Sequence, residues 1–176
     1  MGTMHVKSWG MTGSNSDAYS AELATETYQG KPVVRMWRSG EGTDGFGAMF
    51  QTFKPDAYRG KRLRFSAQLR TLEETDRAAL CFRVDGPNTG NAGPPLAFDN
   101  MDTRPAISGV SPWTRHSCVL DVSPEATLIF ISNILTGKGE LQWADVRFEV
   151  VDASVPVTDM LLRSDEGPAN LDFTQT

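Results

Sequence analysis

Hydrophobic and polar residues alternate with a period of two along most of the chain, which is the pattern of half-buried β-strands. The clearest stretch is residues 61–70 (KRLRFSAQLR), where Leu63, Phe65, Ala67 and Leu69 face one way and polar residues lie between them. An antiparallel strand with one face in a core and one face in water has this pattern. We therefore predict such a strand here.

Similar stretches are separated by clusters of Gly, Pro, Asn and Asp, which mark turns. Further strands are predicted over residues 4–9, 19–27, 33–38, 46–53, 77–85, 95–98, 113–122, 125–135 and 141–151. Residues 125–135 are apolar on both faces except at Ser132 and Asn133, so we expect a central strand that is covered on both sides. About eight to ten short strands without a normal-length helix predict an all-β fold, an antiparallel β-sandwich of jelly-roll type.

The chain has 176 residues, which is the usual size of one domain. We predict a jelly-roll domain over residues 4–157. The periodicity is lost after that point, so residues 158–176 are predicted to be a C-terminal tail that is either partly ordered against the body or free.

Composition and charge restrict the kinds of partner that this protein is expected to bind. The chain is 39% hydrophobic and 22% charged, as expected for a soluble globular protein. The net charge of −5 argues against a surface that binds nucleic acid. The cluster of basic residues over 59–64 is explained by the solvent-exposed face of a strand. No stretch approaches the roughly twenty apolar residues of a membrane span. We expect a cytoplasmic monomer or homodimer with a small-molecule ligand and neither a nucleic-acid nor a membrane partner.

Four segments occur in a characteristic order: GFGAMFQTFKPDAYRGKRLRFSA, FRVDG, LAFDNMDTRP and PWTRHSCVLDV. Together they resemble a family of small bacterial jelly-roll domains that are similar to carbohydrate-binding modules. This family also occurs as effector regions of transcription regulators related to the arabinose regulator. The resemblance covers about residues 4–157. The matching residues are Gln51, Arg83, Asp99, Asn100, Met101, Arg104, Pro105 and Trp113.

The sequence departs from this family in two strands. Ala79 and Cys81 stand where the family has large aromatic residues, and Ser132 and Asn133 interrupt an otherwise apolar strand. A buried large-to-small change costs about 2 to 5 kcal/mol when the cavity is left unfilled. Either a pocket has been remodelled for a particular ligand, or other side chains have repacked into the space.

The segment over residues 78–101 is predicted to furnish a pocket, because it places charged residues at the ends of apolar strands beside a long loop. The candidate catalytic residues, which would polarise or protonate a substrate, are Gln51, Arg83, Asp99 and His116. The candidate ligand-binding residues are Trp37, Met49, Cys81, Asn100, Met101, Trp113 and Asn133. In the alternative interpretation, Asp99 and Asn100 cap a turn, Arg83 pairs with a carboxylate, and the tryptophans belong to the core or its rim.

Two functions from different classes fit these features. The first is a cofactor-free enzyme, of cyclase, isomerase or lyase type, that acts on a small biosynthetic intermediate in an enlarged pocket. The alternative is a non-catalytic module that binds a carbohydrate or a related effector. The apparent freestanding chain favours the enzyme. No cofactor is expected, since the common nucleotide, nucleophile and zinc motifs are absent. A less favoured interpretation places Asp145 in a structural calcium site. One acidic residue does not supply the six to eight oxygen ligands that calcium takes.

Overall fold

The computed structural model describes residues 2–72, 74–91, 93–162 and 171. The strands among them are β1 (Gly10–Thr12), β2 (Tyr19–Tyr28), β3 (Lys31–Arg38), β4 (Phe46–Phe53), β5 (Arg62–Thr71), β6 (Arg77–Asp85), β7 (Ala97–Asp99), β8 (Ser111–Asp121), β9 (Leu128–Thr136) and β10 (Glu140–Val151), with a short 3-10 helix at Ser16–Ala18. Within these residues, no helix has the length and apolar character needed to cross a bilayer.

The strands form two five-stranded sheets, one in the order β1-β4-β9-β6-β7 and the other in the order β2-β3-β10-β5-β8. Every strand pair in both sheets is antiparallel. This arrangement confirms the predicted all-β antiparallel sandwich. For brevity we refer to the first sheet as the groove sheet and to the second as the opposite sheet.

The predicted strand over residues 4–9 is wrong. Met4 makes only an isolated bridge to Ala21, and the first strand begins at Gly10. The chain turns before it, because Ser8 has a φ of 72° and the backbone N–H of Trp9 donates to the carbonyl of Val6. The apolar residues in this segment pack against the core individually instead of forming a strand.

The core lies between the two sheets, and the alternation in β5 places its apolar residues there. Leu63, Phe65, Ala67 and Leu69 are all at most 1% exposed, as predicted. Aromatic rings pack edge to face across the same layer: the Phe148 ring lies 5.1 Å from Phe53 and 5.6 Å from Phe82. Edge-to-face contacts of this kind add to the free energy of burying each ring.

Strand β9 is central in the groove sheet, between β4 and β6, as predicted. Its inner face places Ile129, Ile131 and Leu135 in the core. The expectation that both faces are covered is wrong, because the outer-facing Phe130 and the other outer side chains of β9 form the floor of a groove.

The chain after β10 joins the outer edges of the two sheets. The backbone N–H of Thr158 donates to the carbonyl of Val119 on β8, and the backbone N–H of Met160 donates to the carbonyl of Phe98 on β7, each at 2.8 Å. The start of the predicted tail therefore packs against the body. The remainder, residues 163–170 and 172–176, lies outside the described residues.

We expect Phe82→Ala to lower the free energy of unfolding by about 3 to 5 kcal/mol, because the ring is fully buried and its removal leaves a cavity. Val150→Ala is the matched control, since Val150 is 55% exposed, and it should change stability by less than about 0.5 kcal/mol. Urea unfolding followed by circular dichroism measures both. Equal, small effects would show that Phe82 is not part of a packed core.

Candidate ligand-binding groove

A groove of about 470 Å³ opens on the outer face of the groove sheet. This volume is within the usual range for sites that bind small molecules. All five strands of the groove sheet contribute side chains to it. The lining residues are Thr12, Gly13, Phe46, Ala48, Cys81, Arg83, Phe98, Asn100, Phe130, Ser132 and Ile134. Among these described residues there is no Asp, Glu or His.

Strand register brings these side chains together. Ser132 on β9 is paired with Phe50 on β4 and with Cys81 on β6. In the next outward-facing row, Phe130 is paired with Arg83. Directly paired residues in adjacent antiparallel strands present their side chains on the same face, so each row is a short line of side chains across the groove.

One wall of the groove is made of stacked groups. The rings of Phe50 and Phe130 stack with centroids 5.6 Å apart and planes inclined by 13°. The guanidinium carbon of Arg83 lies 4.6 Å from the Phe130 centroid on top of this pair. Arg83 donates two hydrogen bonds to the carboxylate of Asp85, at 2.8 and 3.1 Å, so its charge is compensated. The Phe130 ring on β9 therefore lies between Phe50 on β4 and Arg83 on β6, and this wall carries little net charge.

The floor of the groove consists of small residues. The hydroxyl of Ser132 is buried, and among the described residues it has no hydrogen-bond partner that satisfies ordinary geometry. Its cross-strand neighbour is the thiol of Cys81. Burial raises the pKa of this thiol to about 12, so Cys81 is protonated at neutral pH and is not a nucleophile. The Ser132 hydroxyl is thus a buried polar group, next to the Cys81 thiol, in an otherwise apolar floor.

The rim of the groove depends on a glycine and on a tight turn. Gly13 has a φ of 130°, and a Cβ there would lie 2.3 Å from the carbonyl oxygen of Phe46. On the opposite side, the amide of Asn100 is fixed by Asp102, whose carboxylate accepts from Nδ2 at 2.8 Å and whose backbone N–H donates to Oδ1 at 3.1 Å. Both features fix the conformation of the rim.

Of the four predicted catalytic residues, only Arg83 lines the groove. Asp99 is on the inner face of β7 and is fully buried. Its carboxylate accepts hydrogen bonds from the backbone N–H of Met101 at 2.8 Å, from Arg104 at 2.7 Å and from the hydroxyl of Thr158. The hydrogen bond to Met101 favours the alternative interpretation, in which Asp99 caps a turn, and the pairing with Arg104 adds to it.

His116 lies on β8 in the opposite sheet, where it is paired with the core residue Ala67. Its Nε2 atom is buried and has no hydrogen-bond partner in the described part of the chain. Burial lowers the pKa of His116, and the positive charge of Arg104 lowers it further. The histidine is therefore held neutral at the edge of the core, on the other side of the sandwich from the groove.

Gln51, the fourth candidate, is on the inner side of β4, and its Nε2 donates to the carbonyl of Ser8 at 3.1 Å. Three predicted ligand-binding residues are also internal. Met49 and Asn133 are fully buried and Met101 is 5% exposed. The Oδ1 atom of Asn133 accepts from the backbone N–H of Met49 at 2.9 Å, and the sulfur of Met101 accepts from the backbone N–H of Leu80. Their contacts are with the protein's own backbone.

The two remaining tryptophan candidates lie elsewhere on the surface. Trp37 lines a broad cleft of about 940 Å³ at one end of the sandwich, and Arg35 covers one face of its ring at 4.1 Å. Trp113 is on β8, where its ring is 4.7 Å from that of Tyr28. The predicted ligand-binding residues that meet in the groove are thus Cys81 and Asn100, together with Arg83.

The structure does not support the calcium reading of Asp145. Its carboxylate is bound by Lys31 at 2.7 Å, by Arg147 at 2.8 Å and by Arg115, and these hydrogen bonds and charges lower its pKa to about 2. Among the described residues, no three His, Cys, Asp or Glu side chains converge into a possible metal site. The Asp145 carboxylate is thus already bound by three cationic side chains.

The sequence analysis missed the groove phenylalanines Phe46, Phe98 and Phe130. Each is outward-facing on its strand, and alternation did separate Phe46 from the core-facing Met49. The signal that was available was an excess of large apolar residues on both faces of β9. This pattern predicts a strand that is covered on both faces, whereas in the structure the outer face of β9 forms the floor of an apolar groove.

Solved structures with a similar fold include carbohydrate-binding domains. The chain resembles the CBM22-1 xylan-binding domain of Paenibacillus barcinonensis Xyn10C, with 14% identity, a TM-score of 0.55, and coverage of 82% of this chain and 87% of that one. It also resembles TmCBM61, solved in complex with β-1,4-galactotriose, with 13% identity, a TM-score of 0.51, and coverage of 82% and 90%. At these identities the likeness shows the fold alone, and it confirms the jelly roll.

In sequence, the chain is 34% identical over 174 residues to the uncharacterized HTH-type transcriptional regulator YbfP of Bacillus subtilis (strain 168). The match covers 97% of this chain and 57% of that protein, so the chain spans a little over half the length of its relative. No protein-family model matches the chain.

We expect Asp99→Ala to lower the free energy of unfolding by about 3 to 5 kcal/mol, because it leaves Arg104 and a buried backbone N–H without their acceptor. Asp102→Ala is the matched control. Asp102 also pairs with an arginine, but its side chain is 54% exposed, and the change should cost less than about 1 kcal/mol. Chemical unfolding of both variants measures the difference. Two similar costs would contradict a special structural role for Asp99.

We expect part of the stability to be lost as the pH falls below about 6.5, the ordinary pKa of histidine. In this range the unfolded chain binds a proton at His116 that the folded chain rejects, so the free energy of unfolding falls with pH until the pH is below the lowered pKa of the folded state. His116→Gln should flatten this dependence. The exposed His5 provides the control, since His5→Gln should leave it unchanged.

Proposed function

We propose that this chain is a non-catalytic binding domain that takes a small carbohydrate or a carbohydrate-like effector in the groove on the groove sheet. The observation that carries the proposal is the combination of three phenylalanine side chains with the Ser132 hydroxyl and the Arg83 guanidinium in one groove. Sugar rings have apolar C–H faces that pack on aromatic rings and hydroxyl edges that exchange hydrogen bonds. The groove offers surfaces for both.

The chemistry of the groove favours binding over catalysis. The described lining residues include no carboxylate or imidazole that could transfer a proton to a bound ligand. Arg83 is compensated by Asp85, and the Cys81 thiol is protonated. Asp99 and His116, two of the predicted catalytic residues, are separated from the groove by the sheet and by the core. The comparisons likewise point to binding domains and give no support for a cyclase or for a role in biosynthesis.

We further propose that the domain senses an effector for a transcription regulator. The support is the 34% identity to an HTH-type regulator that is longer than this chain. The net charge of −5 suits a domain that leaves DNA contacts to another part of the protein. A regulator of this kind works in the bacterial cytoplasm, and that location is part of the proposal.

Binding is tested by titrating the protein with monosaccharides, xylo- and galacto-oligosaccharides and aryl glycosides in a calorimeter. For a ligand that binds, Phe130→Ala should weaken binding about tenfold or more through loss of the stacking surface. Ser132→Ala should weaken it about fivefold through loss of one hydrogen bond. Mass spectrometry of the incubated ligand should show no product.

Two variants outside the groove serve as controls. Trp113→Ala removes an aromatic ring from the outer face of the opposite sheet, and Trp37→Ala removes one from the end cleft. Neither should change the affinity. Weaker binding by Trp37→Ala together with unchanged binding by Phe130→Ala would show that the ligand binds in the end cleft, and would overturn the proposal. Turnover of the ligand would support the enzyme hypothesis instead.

A further inference from the structure

A second cavity, of about 350 Å³, opens between the two sheets on the side of the sandwich formed by β3 and β10. We name it the inter-sheet slot. It is lined by Trp9, Lys31, Pro32, Val34, Met49, Trp143, Ala144, Asp145 and Val146. None of these residues lines the groove described above, so the slot is a separate site.

The walls of the slot are apolar and flat. The rings of Trp9 and Trp143 meet edge to face, with centroids 5.0 Å apart and planes inclined by 75°. Met49 lies between the sheets and is fully buried, while Val34 is on the inner face of β3 next to Trp143 in register. Apolar walls of this size suit a small ring system, because burying its surface releases water from both partners.

A polar group on one of the slot-lining residues lacks a partner. Trp143 is only 2% exposed, and its indole N–H has no acceptor within the described residues. A buried indole N–H usually finds an acceptor, since leaving one unsatisfied costs about 1 to 3 kcal/mol. An oxygen atom on a ligand in the slot would supply it.

A bulge in β10 brings charge to the mouth of the slot. The pairing of β10 with β5 shifts register between Ala144 and Arg147, and Asp145 within the bulge has a φ of 50°. Bulges commonly redirect side chains next to functional sites. Here the bulge places Asp145 and Val146 at the slot, where Lys31 from the start of β3 also lies.

The mouth of the slot carries an excess of positive charge. The single carboxylate of Asp145 is bound by Lys31, Arg147 and Arg115. The next carboxylate along β10, Glu149, pairs with Arg64 instead. Because Glu149 also acts on the charge of Arg147, the excess of positive charge is centred on Lys31 and Arg115, which share the Asp145 carboxylate. The side chain of Lys31 is 49% exposed and can reach a ligand at the mouth.

We propose that the inter-sheet slot is a second ligand site that binds small apolar carboxylates, such as aromatic or alicyclic acids. The ring of the ligand lies against Trp9, Trp143 and Met49, and its carboxylate lies at the mouth near Lys31. This proposal does not depend on sugar binding in the groove, because the two sites share no lining residue.

The probes are phenylacetate and naphthalene-1-acetate, each compared with its uncharged amide by NMR titration of the full chain. The acids should bind saturably at millimolar concentrations or below, and each acid should bind more tightly than its amide. The preference should shrink when salt is added, since salt screens an exposed charge pair. Resonances of the Trp9 and Trp143 indole N–H groups should shift, while those of the groove residues Ser132 and Cys81 should not.

Lys31→Met tests the charge. It should weaken binding of the acids about two- to fivefold, as expected for a half-exposed ion pair, and leave binding of the amides unchanged. Lys54→Met is the matched control, because Lys54 is an exposed lysine that does not line the slot. It should affect neither class of probe.

Val34→Phe tests the location by filling the slot, and it should abolish binding of acids and amides alike. Circular dichroism checks its folding, and if the variant does not fold, the surface change Lys31→Met still decides the question. Absence of saturable binding by both acids, equal affinity for acid and amide, or an unchanged preference in Lys31→Met would each overturn the proposal.

Discussion

Packing of the inner face of β9 against the opposite sheet is the constraint on which both the core and the groove depend. Ile129 and Leu135 are fully buried between the sheets. Because successive side chains of a strand point to opposite faces, burying these residues commits Phe130, Ser132 and Ile134 to the outer face. A slip of one residue would put the groove residues in the core. The groove is therefore held by the same packing energy as the fold.

A buried polar cluster completes the sandwich where the two sheets meet at β7 and β8. Asp99 accepts from Arg104 and Thr158, and Arg104 also donates to the carbonyl of Ser117 on β8 at 2.8 Å. The cluster thereby connects a short edge strand, the turn after it and the segment that follows β10. Since β7 also supplies Phe98 to the groove, one rim of the groove depends on this cluster without containing it.

Alternation located the strands well and assigned faces correctly in β5, where every second residue is apolar. It failed at residues 4–9, whose apolar residues contact the core from an irregular segment. It also could not tell which face of β6 and β7 is inside. Asp99 was predicted to be catalytic because it is a charged residue near a loop. Its pairing with the core residue Phe82 instead places Asp99 on the core side of the sheet. Arg83, one residue beyond Phe82, faces the groove.

The sequence by itself determined the all-β class and the approximate strands, because local alternation and turn residues carry that information. Four of its segments also resemble those of jelly rolls similar to carbohydrate-binding modules. It also pointed to Cys81, Arg83 and Asn100. Only the tertiary structure decided which candidates meet. Phe46, Phe98, Phe130 and Ser132 come from three strands, and their side chains converge because of strand order and register, which depend on long-range pairing rather than on neighbouring residues. The same long-range pairing places four other candidates in the interior, away from the groove: Asp99, His116, Met49 and Asn133.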